Sequence, residues 1–294
     1  MNLLAFIQWN PGVEVFSLGA LHIRYYSLCW MIGLLLAYLL VQRQYKQQGI
    51  RNEVFEPLFL YTFFGVLIGA RLGHCLFYQP EYFIPHPLEM ILPFRHTASG
   101  WTFTGYEGLA SHGGIIGMLI AFWLYVRRTK MNYIRVLDNI ALAAPVTACF
   151  IRLGNLMNSE IVGLPTNVPW GFIFVHNGED FARHPAQLYE ALFYLCIFGL
   201  QRFLYHKYPQ RMGSGLFFGV CLSTIFIFRF LVEFIKADQV DFEQGMVLNM
   251  GQWLSIPLII LGVAFMIGGK WLSKLSDDGR IRPELLINGK AGKK

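Results

Sequence analysis

Apolar runs recur seven times along this chain, each close to the roughly 20 residues that a helix needs to cross a bilayer. They lie at about 19–41, 54–77, 108–126, 136–156, 185–204, 215–235 and 247–267. Charged residues make up 14% of the chain and hydrophobic residues 55%, whereas soluble domains carry about 25% charged residues. The predicted fold class is therefore an all-α polytopic membrane protein. Seven transmembrane helices would form a single domain over 1–294, with extracytoplasmic arm or head segments at 78–107 and 157–184. Those two segments are rich in Pro, Trp and Gly and too long for simple connections.

The basic residues set the predicted orientation. Arg43, Lys46 and Arg51 follow the first run, Arg127, Arg128, Lys130 and Arg135 the third, and Arg202, Lys207 and Arg211 the fifth. A basic tail at 270–294 holds Lys270, Lys274, Arg280, Arg282, Lys290, Lys293 and Lys294. The alternate loops hold only Arg24, Arg95, Arg183 and Lys236. By the positive-inside rule the amino terminus is outside and the carboxyl terminus, with its basic tail, is cytoplasmic. The net charge of +6 is thus a topology signal, and no nucleic-acid partner is expected. Met1 to Gly19 contain no Lys or Arg, so the expectation is retention by the chain's own helices without a cleavable leader. Cys29, Cys75, Cys149, Cys196 and Cys221 all lie in apolar runs and lack metal-ligand spacing. They read as buried, inert thiols.

Three cations remain, and all fall inside the runs: Arg71, Arg152 and Arg229. A cation at membrane depth is costly and usually faces a functional interior. Each arginine is past the midpoint of a run that travels from inside to outside, so at about 1.5 Å per residue all three belong to the outer half. Tyr26 and His112 fall in the first turns of runs entering from that same side. Gly65, Gly69 and Gly73 form a small-residue face for close helix packing, as do Gly113, Gly114 and Gly117, and Gly215 with Gly219.

Seven stretches, in order, resemble the prolipoprotein diacylglyceryl transferase family. They are Arg24-Tyr25-Tyr26, Ala70-Arg71-Leu72-Gly73, Ser111-His112-Gly113-Gly114, Arg152-Leu153-Gly154-Asn155, Arg183-His184-Pro185-Ala186-Gln187-Leu188-Tyr189-Glu190, Phe228-Arg229-Phe230-Leu231-Val232-Glu233-Phe234 and Gly251-Gln252-Trp253-Leu254-Ser255-Ile256-Pro257. The resemblance implies a multi-pass enzyme of the bacterial inner membrane. Such an enzyme moves the diacylglyceryl group of phosphatidylglycerol onto the lipobox cysteine of a prolipoprotein, leaving a thioether and glycerol phosphate. It implies no cofactor and no metal.

The resemblance also assigns roles. Arg152 and Arg229 match the family's essential pair. Guanidinium groups stay protonated and bind phosphate oxygens bidentately, and charge stabilisation in a low-dielectric site can be a large catalytic term. A free thiol titrates near about 8.5, so His112 is a candidate base. Arg152 could instead activate the thiol electrostatically while His112 positions the headgroup. Tyr26, Asn155, Asn158 and Glu160 are candidates to orient the glycerol headgroup, although the two asparagines also suit helix-end capping. Gly163 would permit close backbone approach or simply form a turn.

Glu233, one turn after Arg229, either pairs with it or handles a proton. Arg71 is a candidate substrate contact whose alternative is a structural bond to loop carbonyls. His184 reads as structural, with Pro185 starting the fifth helix. Ser159, Ser111 and Ile225 stand where relatives often have glycine, an aromatic residue and tyrosine, so no aromatic hydroxyl acts from position 225. The main rival, a lipid or anion transporter, calls for polar residues through both halves of the membrane. An intramembrane hydrolase lacks its H-E-x-x-H or G-x-S-x-G signature here.

Overall fold

The structure is a computed structural model that describes residues 6–18, 21–97, 100–103, 105, 108–237, 245–275 and 281–287. Much of the predicted basic tail, 276–280 and 288–294, lies outside the described residues, as do 98–99, 104 and 106–107 of the first arm. Two compact units form, Met1–Gln44 with Leu137–Gly279, and Tyr45–Val136 with Arg280–Lys294.

The first unit opens on strands β1 (Ile7–Trp9), β2 (Glu14–Leu18) and β3 (Leu21–Arg24). Helix α1 (Tyr25–Gln47) begins only after β2 and β3 pair as an antiparallel hairpin, with Glu14 opposite Arg24. Residues 21–24 of the first apolar run are therefore strand, and its helix begins and ends about six residues later than the sequence suggests.

The second unit holds α2 (Asn52–Phe77), the short helices α3 (Pro80–Phe83) and α4 (Pro87–Ile91), the hairpin β4 (Phe94–Thr97) with β5 (Gly100–Phe103), and α5 (Ser111–Thr129). Its two long helices meet through their glycines. A Cβ on Gly69 would sit 2.7 Å from the Gly117 Cα, and one on Gly73 would sit 2.8 Å from the Gly113 Cα. At this separation backbone touches backbone, and no side chain fits between. The segment after α2 is an arm clamped by Arg71, which donates to the Glu89 carbonyl at 2.7 Å and the Met90 carbonyl at 3.2 Å and covers the Phe83 ring. Tyr82 donates to the Glu89 carboxylate at 2.6 Å, and that bond pushes its phenol pKa up. At the other end Leu286 pairs with Ile50, so residues 281–287 strap the turn before α2.

Helix α6 (Tyr133–Ala141) and helix α7 (Ala144–Met157) replace the single helix expected over 136–156. They meet at 44°. Pro145 is in the first turn of α7, where a missing N–H costs nothing, but it cannot continue a helix from α6. After the short strand β6 (Phe172–Phe174), which lies parallel to β1, come α8 (Ala186–Lys207), α9 (Leu216–Val232) and α10 (Met250–Leu275). Helices α9 and α10 pack closely, with a Cβ on Gly219 meeting the Gly262 carbonyl oxygen at 2.6 Å. Gly215, expected on the same packing face, instead precedes α9 with φ +85°. Its N–H, with those of Gly213 and Phe218, reaches the buried Asp138 carboxylate at 2.9–3.0 Å. Asp138 thus caps α9 from another helix. Asp138→Ala is expected to cost about 3 kcal/mol of stability, read as a lowered midpoint of thermal unfolding in detergent. An unchanged midpoint would remove this capping role.

All seven apolar runs fall largely in helix. Among the described residues, α1, α2, Leu216–Ile235 and Met250–Gly268 are long and apolar enough to cross a membrane, and the bent α6–α7 pair makes five if taken as one span. The mostly helical, polytopic class stands, and among the described residues three two-stranded sheets add to it. Helices α5 and α8 are long but less apolar. Helix α5 has polar residues at both ends, and α8 buries Gln187, Glu190 and Gln201.

Candidate active site

Five charged side chains of the first unit form a continuous chain. From α7, the Arg152 Nε lies 3.0 Å from the Glu190 Oε2 of α8. The Lys236 Nζ, just past the end of α9, lies 3.5 Å from the same oxygen and 3.1 Å from the Glu233 Oε1. Arg229, one turn before Glu233, ends the chain with its Nε 3.8 Å from that oxygen. The order is Arg152, Glu190, Lys236, Glu233, Arg229, so three cations face two carboxylates. The middle is dry: the side chains of Glu190 and Lys236 are 0% and 1% exposed. The ends are more open, at 13% for Arg152 and 35% for Arg229. A buried group with one surplus cation and accessible guanidinium ends is suited to hold an anion.

Glu190 is held by charge. Both cations lie within ion-pair distance, yet neither carboxylate oxygen accepts a hydrogen bond of good geometry from the described residues. Glu233 is better satisfied, since Asn249 donates to its Oε2 at 3.0 Å. Gln252 and Asn249 cap each other's backbone N–H groups at the start of α10, which holds that amide in place.

The loop after α7 continues the site. Asn155 accepts from the Arg152 Nη1 at 3.2 Å and donates to Glu160 at 2.7 Å. Asn158 follows as the residue closing α7, with its side chain 3.5 Å from the same carboxylate oxygen. Both asparagines therefore serve the local frame. Gln187 adds a bond to the Glu160 carbonyl. Ser159 and Ile161 have φ of 55° and 59°, a left-handed conformation that costs a non-glycine residue roughly 1–2 kcal/mol. Asn177 donates to the Ser159 carbonyl at 3.0 Å and holds the turn. Gly163 is buried, its backbone bridges to Lys236, and a Cβ there would lie 2.6 Å from the Cβ of His184. Tyr26, in the first turn of α1, packs on Gly154, where a Cβ would come within 3.0 Å of its ring.

The structure thus brings together Arg152, Arg229, Glu233, Asn155, Asn158, Glu160, Gly163 and Tyr26. Arg71 and His112 belong to the other unit, where His112 is an exposed residue in the first turn of α5. Arg71 is engaged with the arm's carbonyls, the structural alternative raised above. His184 contacts the Tyr189 hydroxyl at 3.2 Å, and Trp170 donates to that hydroxyl at 2.8 Å.

Three members of the site had no role in the sequence reading. Glu190 ends the Arg183–Glu190 motif, Lys236 is one of the loop cations, and Tyr194 lies in no motif. A carboxylate inside an apolar helix was the available signal for Glu190, and the three-residue step from Glu233 was the signal for Lys236. Tyr194 is buried and close enough to feel the charges of both Arg152 and Arg229. An aromatic hydroxyl does reach the arginines, from α8. Ile225 packs on the cluster of Cys149, Ala191, Tyr194 and Ile197.

The model of the family described as prolipoprotein diacylglyceryl transferase matches residues 13–268. A Bacteroides fragilis protein named phosphatidylglycerol–prolipoprotein diacylglyceryl transferase is 58% identical over 266 residues, which is 90% of this chain and 96% of the relative. Proteins of the same name from Chloroherpeton thalassium and Tolumonas auensis are 41% and 39% identical. They align over 90% and 88% of this chain and 94% and 96% of their own lengths.

Proposed function

The chain belongs to the prolipoprotein diacylglyceryl transferase family, and from that premise we propose how its residues carry the transfer. The activity is movement of the diacylglyceryl group of phosphatidylglycerol to the cysteine thiol of a prolipoprotein lipobox. A sulfur–carbon bond forms at the glyceryl carbon that carries the phosphate. The carbon–oxygen bond to phosphate breaks, its electron pair leaves with glycerol phosphate, and the thiol proton passes to a base.

One observation carries this proposal: a buried charge chain with a surplus cation and a guanidinium at each end. A phosphodiester is already anionic, and its leaving group gains charge as the carbon–oxygen bond breaks. Fixed donors that need no reorganisation stabilise that change best in a dry site. Arg152 and Arg229 hold the phosphate, Tyr194 orients Arg152, and Glu190 and Glu233 orient the arginines from behind. Asn155, Asn158 and Glu160 shape the loop beside Tyr26 that receives the glycerol headgroup, and Gly163 keeps that loop against Lys236. Arg71 fixes the arm after α2. The seven helical runs form seven crossings of the inner membrane, with the amino terminus and both arm segments extracytoplasmic and the carboxyl terminus cytoplasmic. Phosphatidylglycerol then arrives from the bilayer and the prolipoprotein from outside.

His112 is assigned the thiol proton. His112→Gln is expected to lower the rate about 10²-fold. An unchanged rate would make the histidine structural. The activity itself is tested by reconstituting the purified protein with phosphatidylglycerol and a lipobox peptide. Mass spectrometry should find the peptide heavier by one diacylglyceryl group, with glycerol phosphate released in equal amount. No adduct would overturn the assignment.

A further inference from the structure

Lys236 is fixed on both sides. Its backbone bridges to Gly163, with flanking bonds from the Leu164 N–H to the Ile235 carbonyl at 2.8 Å and from the Ala237 N–H to the Val162 carbonyl at 3.2 Å. Its ammonium sits between two carboxylates, 3.1 Å from Glu233 and 3.5 Å from Glu190. No other described cation touches both carboxylates of the chain.

The charge count explains what this position does. Without the lysine, two arginines would face two carboxylates, each guanidinium would be neutralised by its own partner, and an incoming phosphate would have to compete. With the lysine, each carboxylate is shared between an arginine and an ammonium. The looser of the two arginine contacts, 3.8 Å from Arg229 to Glu233, belongs to the more exposed arginine. Lysine suits this place because a compact ammonium with three donors can serve two acceptors in different directions.

We infer that Lys236 is a positioning residue for phosphate recognition: it shares both carboxylates with Arg152 and Arg229, so that the two guanidinium groups keep a surplus positive charge for the anionic headgroup. The inference rests on the transferase assignment and deepens it. The lysine touches no substrate and acts through its two neighbours.

The test is a comparison of kinetic constants for phosphatidylglycerol in vesicles, with a lipobox peptide held saturating. Lys236→Met is expected to raise KM at least about tenfold, with a smaller change in kcat, because a unit charge is lost at short range in a dry site. Lys236→Arg keeps the charge and is expected to stay within about threefold of the parent. The decisive variant combines Lys236→Met with Glu190→Gln, leaving two arginines against one carboxylate and restoring the surplus cation. It is expected to recover most of the lost KM. A purely structural lysine predicts the opposite, because the second change would add a second defect. A parental KM in Lys236→Met, or a double variant no better than the single, overturns the inference. If Lys236→Met does not fold, Glu190→Gln alone decides, since three cations against one carboxylate should lower KM and a raised KM overturns the inference. If the parent protein transfers nothing, the transferase assignment fails instead.

Discussion

Arg152→Ala is expected to lower transfer from phosphatidylglycerol by about 10³-fold while leaving the protein folded. Removing one preorganised donor from an oxyanion site typically costs about 10²–10³ in kcat. Arg152 goes beyond one donor, because its guanidinium also carries formal charge and can bind bidentately. Survival of the fold follows from the charge count. The variant leaves Lys236 and Arg229 against Glu190 and Glu233, a balanced set, and Glu190 keeps its contact with Lys236 at 3.5 Å. Arg152→Lys restores the charge but not the planar fork, so it should recover only part of the rate. Arg229→Ala should fall by a similar factor. The readout is thioether formed on a lipobox peptide per unit of folded protein, with folding followed by thermal unfolding in detergent. Parental turnover in Arg152→Ala would end the phosphate-holding role.

Gly117→Val is expected to prevent stable assembly of α2 with α5 at a cost above about 3 kcal/mol. A Cβ at Gly117 would lie 2.8 Å from the Gly69 Cα. These are backbone atoms, and no rotamer change can move them aside. Valine adds two further carbons, so the helices must separate along the whole contact at Gly65, Gly69 and Gly73. In a bilayer, tight van der Waals packing is the main force holding two helices together, so separation removes the interaction itself. Gly199→Ala is the control, because a Cβ there meets nothing within 4 Å. It should leave the protein as stable as the parent or slightly more so, through alanine's better helix propensity. Recovery from membranes and the unfolding midpoint measure both variants. A Gly117→Val protein as stable as the parent would show that the helices do not rely on this contact.

The contrast between these two sites shows what kinds of information a sequence holds. The glycines at four-residue spacing already marked close-packing faces on α2 and on α5, because helix geometry places such residues on one face whatever the rest of the chain does; that the two faces meet is seen only in the structure. Gly215 carried the same signal and had a different fate. Its N–H is taken by Asp138, which the chain brings from α6. The two-helix form of the 136–156 run could have been anticipated from Pro145. The late start of α1 could not, since it depends on Leu21–Arg24 finding Glu14–Leu18 as a partner strand.

The apolar runs, the glycine faces and the family motifs were all legible along the chain, because each depends on local spacing or on residue identity. They alone determined a mostly helical protein with several apolar spans, arginines inside those apolar runs and a transferase's set of motifs. Only the tertiary structure decided what those arginines touch. Arg152 meets Glu190 from another helix, and Lys236 joins Glu190 to Glu233 across α8 and the end of α9. Distances between helices follow from packing, to which residues far apart in sequence contribute together. The sharing of two buried carboxylates among three cations is therefore a property of the folded chain.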